Sequence, residues 1–344
     1  MNHELFMRRC FTLARLGAGN VSPNPMVGAV LVHDGKIIGE GWHQRWGEAH
    51  AEVNCLRSVS SENQSYIPYS TLYCNLEPCS HFGKTPPCAD LIVEHKIPRV
   101  FVSNNDPNPM VAGKGLAKLR YAGIEVIEGV LEDEGTWLNR AFFTWINEGR
   151  PRIILKWAQT ADGLLGEIDK RTAISGSATS RLVHRWRAES DAILVGTHTA
   201  VVDNPRLDSK KYFGKNPLRI VLDIQGKIPA RHYLLDDSTE TWVYGISAST
   251  TQFSKTTFIS SEDNILIQNI LDELKNTRRA TLLVEGGANV LNQFLAGGFW
   301  DEIRVLESKH RLGLGVLAPI IPAHEVVLKE QFNIGNDQIS IFTR

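Results

Sequence analysis

The chain has 344 residues, 42% of them hydrophobic and 22% charged, an ordinary globular composition that excludes collagen-like, coiled-coil and disordered architectures. At roughly 150 residues per domain, this length predicts two domains, each able to bury its own core. Lys and Arg total 37 against 38 Asp and Glu, for a net charge of -1, so no global field draws the chain onto a polyanion and no nucleic-acid partner is expected.

The opening Met1-Asn2-His3-Glu4 carries no positive targeting region, and no apolar run reaches the roughly 18 residues of a membrane span. A cytoplasmic protein with no membrane partner is expected. Phe6, Cys10, Leu13 and Leu16 recur at helical spacing and predict an amphipathic helix over residues 2–16, ended by Gly17 and Gly19. Residues 27–33 and 36–42 are short apolar stretches joined by Asp34-Gly35, which suits a type I′ hairpin.

Helix and strand signals then alternate: helix 51–59, strand 71–75, helix 89–95, strand 100–103, helix 116–122 and strand 124–127. This rhythm implies a mixed sheet covered by helices. A helical stretch over 138–146 runs into the polar segment Asn147-Glu148-Gly149-Arg150-Pro151, and the domain boundary is placed there, giving domains 1–148 and 149–344. The second part repeats the alternation, with strands at 152–157, 192–195, 218–222, 241–244, 281–285 and 303–307. Helices are expected at 179–188, 265–275 and 288–295.

All cysteines fall in the first part, at Cys10, Cys55, Cys74, Cys79 and Cys88. In a chain this long such clustering points to metal or catalytic use rather than a disulfide framework. His50-Ala51-Glu52 opens one predicted helix; Pro78-Cys79 and, eight residues on, Pro87-Cys88 lead into another. One imidazole and two thiolates, His50, Cys79 and Cys88, form a three-ligand set for one tetrahedral zinc per chain, leaving the fourth position for water. Thr85-Pro86-Pro87-Cys88 reads as an N-cap with proline in the first turn, and amides at a helix start favour thiolate over thiol.

Glu52, close to His50 and not needed as a ligand, can shuttle protons between that water and a leaving amine. The pattern follows the His-x-Glu and Pro-Cys signature of zinc nucleobase deaminases, except that eight residues rather than two separate the cysteines. A structural site closed by Cys74 is the alternative; a carboxylate at position 52 has no use there. Cys10 and Cys55 fall among apolar neighbours and read as core. His43 and His95 read as ordinary surface histidines, whereas His81 is retained because it lies between the two cysteines.

In the second part Glu285-Gly286-Gly287-Ala288 follows a strand and opens a helix, so its amides can face a cofactor phosphate, although no G-x-G-x-x-G is present. Lys156, read as lying at a strand end, is a candidate for phosphate or ring contact. Asn24, in a Pro-bounded turn, offers amide donors and an acceptor, and Lys84 offers a charge for phosphate.

With these residues in view, the chain resembles the bifunctional deaminase/reductase family of riboflavin biosynthesis over nearly its whole length. The resemblance rests on Val21-Ser22-Pro23-Asn24-Pro25-Met26-Val27-Gly28, His50-Ala51-Glu52, the run from Glu77 to Cys88 and Asp106-Pro107-Asn108-Pro109. In the second part it rests on Leu155-Lys156 with Asp162-Gly163, Arg187-Ala188, Asp191 to Gly196, Asp203-Asn204-Pro205 and Glu285-Gly286-Gly287-Ala288. The eight-residue gap between the cysteines is this family's own spacing.

The resemblance implies an α/β protein: a cytidine-deaminase-like three-layer α/β/α domain followed by a dihydrofolate-reductase-like α/β domain. The first would deaminate 2,5-diamino-6-ribosylamino-4(3H)-pyrimidinone 5′-phosphate hydrolytically with zinc. The second would use NADPH to reduce the ribosyl group to ribityl, giving 5-amino-6-(5-phosphoribitylamino)uracil. By the same correspondence Gln159, Thr199, Asp203 and the run Gly287, Ala288, Asn289, Val290, Leu291, Asn292, Gln293 contact NADPH. Arg171, Arg187, Leu207, Lys210 and Glu285 contact substrate, with Lys156 in the second domain and Asn24, His81 and Lys84 in the first.

A homo-oligomer acting on a small pyrimidine ribose-phosphate is expected. Two positions depart from the family pattern: Ala173 stands where a tryptophan is usual, and Lys210 where an arginine is usual. These keep open an alternative in which the deaminase is active and the C-terminal part is a weak or inactive nucleotide-binding or assembly module.

Overall fold

A computed structural model describes residues 2–82, 86–109, 111–245, 253–260 and 266–344. The chain forms two compact units, Met1–Arg150 and Pro151–Arg344.

The first unit runs α1 (His3–Ala14), β1 (Gly28–His33), β2 (Lys36–Trp42), α2 (Ala51–Arg57), β3 (Thr71–Leu76), α3 (Cys88–Glu94), β4 (Arg99–Asn104), α4 (Lys114–Tyr121), β5 (Glu125–Ile127), α5 (Glu132–Leu138) and α6 (Arg140–Glu148). Asp34 and Gly35, with φ of 44 and 75, make the tight turn between β1 and β2. The sheet order is β2-β1-β3-β4-β5; β1 is antiparallel to β2 and β3, and β3, β4 and β5 are parallel.

Because side chains alternate along a strand, each strand feeds two cores. Leu31, Cys74 and Val102 pack under α2, α3 and α4. Val30, Tyr73 and Phe101 pack on the opposite face with α1 and Leu138 of α5, so the unit has three layers. Gly41 admits close contact between β2 and α2: a Cβ there would lie 2.2 Å from the Cys55 amide nitrogen. That contact seats the helix whose start carries His50 and Glu52.

The single helix expected over 138–146 is instead α5 and α6, interrupted at Asn139, whose side chain serves a distant loop described below.

The second unit runs β6 (Arg152–Gln159), β7 (Leu164–Gly166), α7 (Ser177–Glu189), β8 (Ala192–Gly196), α8 (Thr197–Asp203), β9 (Leu218–Asp223), β10 (Thr241–Gly245), β11 (Thr256–Ile259), α9 (Leu266–Asn276), β12 (Thr281–Val284), α10 (Ala288–Ala296), β13 (Glu302–Glu307), β14 (Val316–Leu317), β15 (Val327–Ile334) and β16 (Asp337–Thr343). Residue 265, expected to begin a helix, lies outside the described residues. The nine-stranded sheet has the order β11-β10-β9-β8-β12-β6-β13-β16-β15. It is parallel from β11 to β13, and β16 and β15 add antiparallel. Strands β7 and β14 pair separately.

The C-terminal hairpin carries no clear strand signal in the sequence. Strand β15 is a solvated edge whose Lys329-Glu330-Gln331 interrupts the apolar alternation. Strand β16 nevertheless matters to the site: the Asp337 carboxylate accepts the Gly176 amide at 2.7 Å and the Thr179 hydroxyl, fixing the start of α7.

Candidate active sites

In the first unit the chain brings His50, Cys79 and Cys88 together. His50 is the N-cap of α2 in extended conformation, Cys88 is the first residue of α3, and Cys79 lies in the loop after β3. Their donor atoms all lie within 4.8 Å of one another. His50 Nδ1 is 3.5 Å from Cys79 Sγ and 3.3 Å from Cys88 Sγ, and the Cys88 amide donates to Cys79 Sγ at 3.3 Å.

The hydrogen bond from the Cys88 thiol, with burial opposing it and His50 assisting, brings Cys79 down to about 4. The same contact and burial push Cys88 up. The pair thus shares one proton, which a divalent cation can replace. An imidazole and two sulfurs with no fourth protein donor among the described residues fit a zinc centre open to water. Glu52, 3% exposed, sits beside Cys88, and burial raises its carboxyl above the usual range, which suits a group that takes up and returns protons.

Cys74 is wholly buried in the core between β3 and the helices, outside this cluster. The N-cap of α3 is Pro87 rather than Thr85, which with Gly83 and Lys84 lies outside the described residues. At this helix start the Cys88 amide donates to the Cys79 sulfur.

Three buried polar residues that sequence reasoning missed hold these loops in place. The Glu77 carboxylate accepts amides from Gly113 and Gly115, both at 2.9 Å, and from Asp106 at 3.3 Å, tying the approach to Cys79 to the start of α4. Asn75 and Asn139 both grip the loop that carries Asn24: each side chain donates to the Met26 carbonyl, and Asn139 also accepts the Met26 amide at 2.8 Å. Glu77 had a signal in its place beside Pro78-Cys79; the two asparagines had none.

His43 is a further correction. It is 3% exposed rather than a surface residue, because strand β2 delivers it into the space beside His50, with ring centroids 5.6 Å apart. Its nitrogens contact the Ala49 carbonyl at 3.1 Å and the Asn24 side chain at 3.3 Å. His81 is exposed.

The second unit holds a cleft of about 430 Å³. Of the expected residues, Lys156, Arg171, Arg187, Thr199, Asp203, Leu207, Glu285, Gly287 and Ala288 line it, as does Ala173. Lys156 is not at a strand end but fifth in β6: Leu155 and Trp157 enter the main core, and Lys156 takes the other face.

There the Glu285 carboxylate receives Arg187 Nε at 2.9 Å, Arg187 Nη2 at 2.8 Å and Lys156 Nζ at 3.4 Å. Burial opposes ionisation of Glu285, but the Arg187 and Lys156 charges outweigh it and hold the acid at about 2. Burial pulls Lys156 below its ordinary value.

The remaining expected residues lie outside the lining of this cleft. Gln159 bonds Glu307 at 2.9 Å and accepts the Trp157 indole at 2.8 Å. Lys210 is solvent-exposed and pairs with Asp208 at 3.4 Å. Along α10, Val290 and Leu291 turn into the core and Asn289, Asn292 and Gln293 face solvent, so Gly287 and Ala288 are the part of this run at the cleft. His184, Lys170 and His198 also line the cleft and carried no sequence signal.

The model of the cytidine and deoxycytidylate deaminase zinc-binding region matches residues 1–104, and that of the RibD C-terminal domain matches residues 151–313. The riboflavin biosynthesis protein RibD of Aquifex aeolicus is 38% identical, with 98% of each chain covered. That of Escherichia coli is 33% identical, again with 98% of each covered. A crystal structure of a diaminohydroxyphosphoribosylaminopyrimidine deaminase/5-amino-6-(5-phosphoribosylamino)uracil reductase from Thermotoga maritima superposes with a TM-score of 0.89 at 33% identity, covering 99% of this chain and 98% of that one.

Fold and sites together define a bifunctional enzyme that joins a cytidine-deaminase-like zinc domain to a dihydrofolate-reductase-like domain using NADPH. The chain belongs to the RibD family and serves riboflavin biosynthesis by deamination and reduction. The alternative of an inert C-terminal module is not favoured.

Proposed function

We propose that residues 1–148 deaminate the 2,5-diamino-6-ribosylamino-pyrimidinone phosphate and that residues 149–344 reduce the ribosyl product to the ribityl compound. The convergence of His50, Cys79 and Cys88 beside a buried carboxylate carries this reading. His50, Cys79 and Cys88 hold zinc, which supplies a Lewis acid for activating water. Glu52 accepts a proton from water at its carboxylate and returns it to the departing ammonia. Asn24, held by its clamped loop, binds and orients the substrate, with His81 as a further contact and Lys84 as the charge for its phosphate.

In the second domain NADPH supplies the hydride. Gly287 and Ala288 present the start of α10 to the cofactor, with Thr199 beside Gly287 and Asp203 also lining the cleft. Glu285, fully ionised at neutral pH, accepts hydrogen bonds from substrate hydroxyls. Lys156 and Arg187 leave the cluster with a net positive charge that favours a phosphorylated ligand. Arg171, Leu207 and Lys210 complete the substrate side, and Gln159 and the rest of the 287–293 run the cofactor side.

The exposed side chains of Val327, Leu328 and Phe332 on β15 support a homo-oligomer, and the thiol-dependent metal site supports a reducing, cytoplasmic setting. Incubation with the diaminopyrimidine phosphate, with and without NADPH, should give the deaminated product in both cases and the ribityl product only with NADPH, read by mass. Failure of either product removes the corresponding half of the proposal.

A further inference from the structure

A phosphorylated ligand in the second-domain cleft needs a cation that no carboxylate already holds. Lys156 and Arg187 are both engaged by Glu285, and Lys170 meets the two oxygens of Glu167 at 3.0 and 2.9 Å. The Arg171 charge acts on Asp203, and Lys210 pairs with Asp208. Lys211 differs. Its Nζ meets Ser180 Oγ at 2.9 Å, a neutral partner, and no carboxylate pairs with it among the described residues.

The chain places this cation with care. The Tyr212 amide donates to the Ser209 carbonyl at 2.8 Å, closing a turn with Lys210 and Lys211 at its centre. Ser209 is buried, and its amide and hydroxyl both donate to Asn216 Oδ1 at 3.0 Å, so the turn is fixed from within. Its two lysines diverge, one to Asp208 and one to Ser180. Arg187 Nη1 donates to the Asp208 carbonyl at 3.3 Å, which ties the turn to the cleft.

Ser180, Val183, His184 and Arg187 recur at helical spacing along α7 and line the cleft. Burial and then the charges of Arg187 and Lys211 pull His184 below its ordinary value, with Asp208 opposing. Both cations therefore bear on this face of the helix. An ammonium can only donate, so Ser180 Oγ accepts from Lys211 and its own hydroxyl hydrogen is left to donate. The pair offers a full positive charge and several donors converging at one point, which is what a phosphate dianion requires.

We propose that Ser180 and Lys211 form a phosphomonoester subsite of the reductase cleft, with Lys211 supplying the charge and Lys210 bordering it. The proposal rests on the reading of this cleft as a site for a phosphorylated ligand. Two phosphomonoesters enter that reading, the 5′-phosphate of the substrate and the 2′-phosphate of NADPH.

Reductase kinetics of the full-length enzyme distinguish them. Wild type, Lys211→Ala, Ser180→Ala and Lys210→Ala are compared on the deaminated ribosylaminouracil phosphate and on the same compound without its phosphate, and with NADPH against NADH. Lys211→Ala should raise KM for one phosphorylated ligand about tenfold and Ser180→Ala about threefold, with kcat within about twofold. Lys210→Ala should raise it by less than Lys211→Ala, and deamination should be unchanged in all three. A rise confined to the phosphorylated substrate assigns the subsite to the 5′-phosphate, and one confined to NADPH over NADH assigns it to the 2′-phosphate.

Unchanged KM for both phosphorylated ligands in Lys211→Ala, or an equal loss with and without the phosphate, overturns the proposal while the reading of the cleft stands. A wild-type enzyme that handles the phosphorylated and phosphate-free ligands alike overturns that reading and the proposal with it.

Discussion

Arg187 and Glu285, 98 positions apart, meet side by side: Nε and Nη2 of the guanidinium donate to the two carboxylate oxygens at 2.9 and 2.8 Å. Such a fork is strong and directional, and here both partners are largely buried. Removing the arginine leaves the carboxylate with only Lys156 for compensation. Arg187→Leu should destabilise the second unit by about 3 kcal/mol and abolish reduction, while deamination continues. Amide exchange in β12 and α7, compared with β3 in the other unit, measures the loss; unchanged protection contradicts it.

The same cluster fixes a pH dependence. Glu285 is held at about 2 against an ordinary 4.5, so the folded state binds this proton less readily than the unfolded chain. Its contribution to stability is present above about 4.5 and is lost as pH falls from there toward 2. Glu285→Gln should therefore flatten the stability profile of the second unit across that window. An acid-unfolding series on both proteins reads the difference.

Glu52→Gln keeps size and hydrogen bonding but cannot take up a proton. It should retain zinc and reductase activity and lose deamination by at least about a hundredfold. Ammonia release near the wild-type rate shows that the proton travels by another route.

One zinc per chain is expected, lost in Cys88→Ser and kept in Cys74→Ser, since Cys74 lies in the core rather than in the cluster. Metal analysis of the purified variants decides this. Loss from Cys74→Ser indicates a closed, four-ligand site.

Ala173 is exposed at the cleft where its family relatives are expected to place a tryptophan. Ala173→Trp should tighten NADPH or substrate binding about fivefold by restoring a stacking face. Fluorescence titration of NADPH, together with steady-state reduction, measures it. Weaker binding shows that neighbouring side chains already fill the space.

The convergence of His50, Cys79 and Cys88 was legible in the sequence because its signals are local. His50 and Glu52 lie at one helix start and Cys88 at another, and helix periodicity with the cysteine spacing places them without knowledge of the fold. The β1–β2 turn was legible for the same reason, since Asp34-Gly35 satisfies a backbone requirement by residue type alone.

What tertiary structure decided are contacts whose partners are remote. Lys156 and Glu285 meet because parallel strands β6 and β12 are neighbours and side-chain alternation turns Lys156 to the cleft. The β15–β16 hairpin was illegible because a solvated edge strand has no buried face to imprint a pattern, yet its Asp337 anchors α7 from 158 positions away. His43 looked like any polar residue at a strand end; only the packing of β2 on α2, and the contacts of His43 with Val27 and Asn24, make it a buried group between His50 and Asn24. Local sequence specifies which groups a segment carries, whereas sheet order and register decide which of them meet.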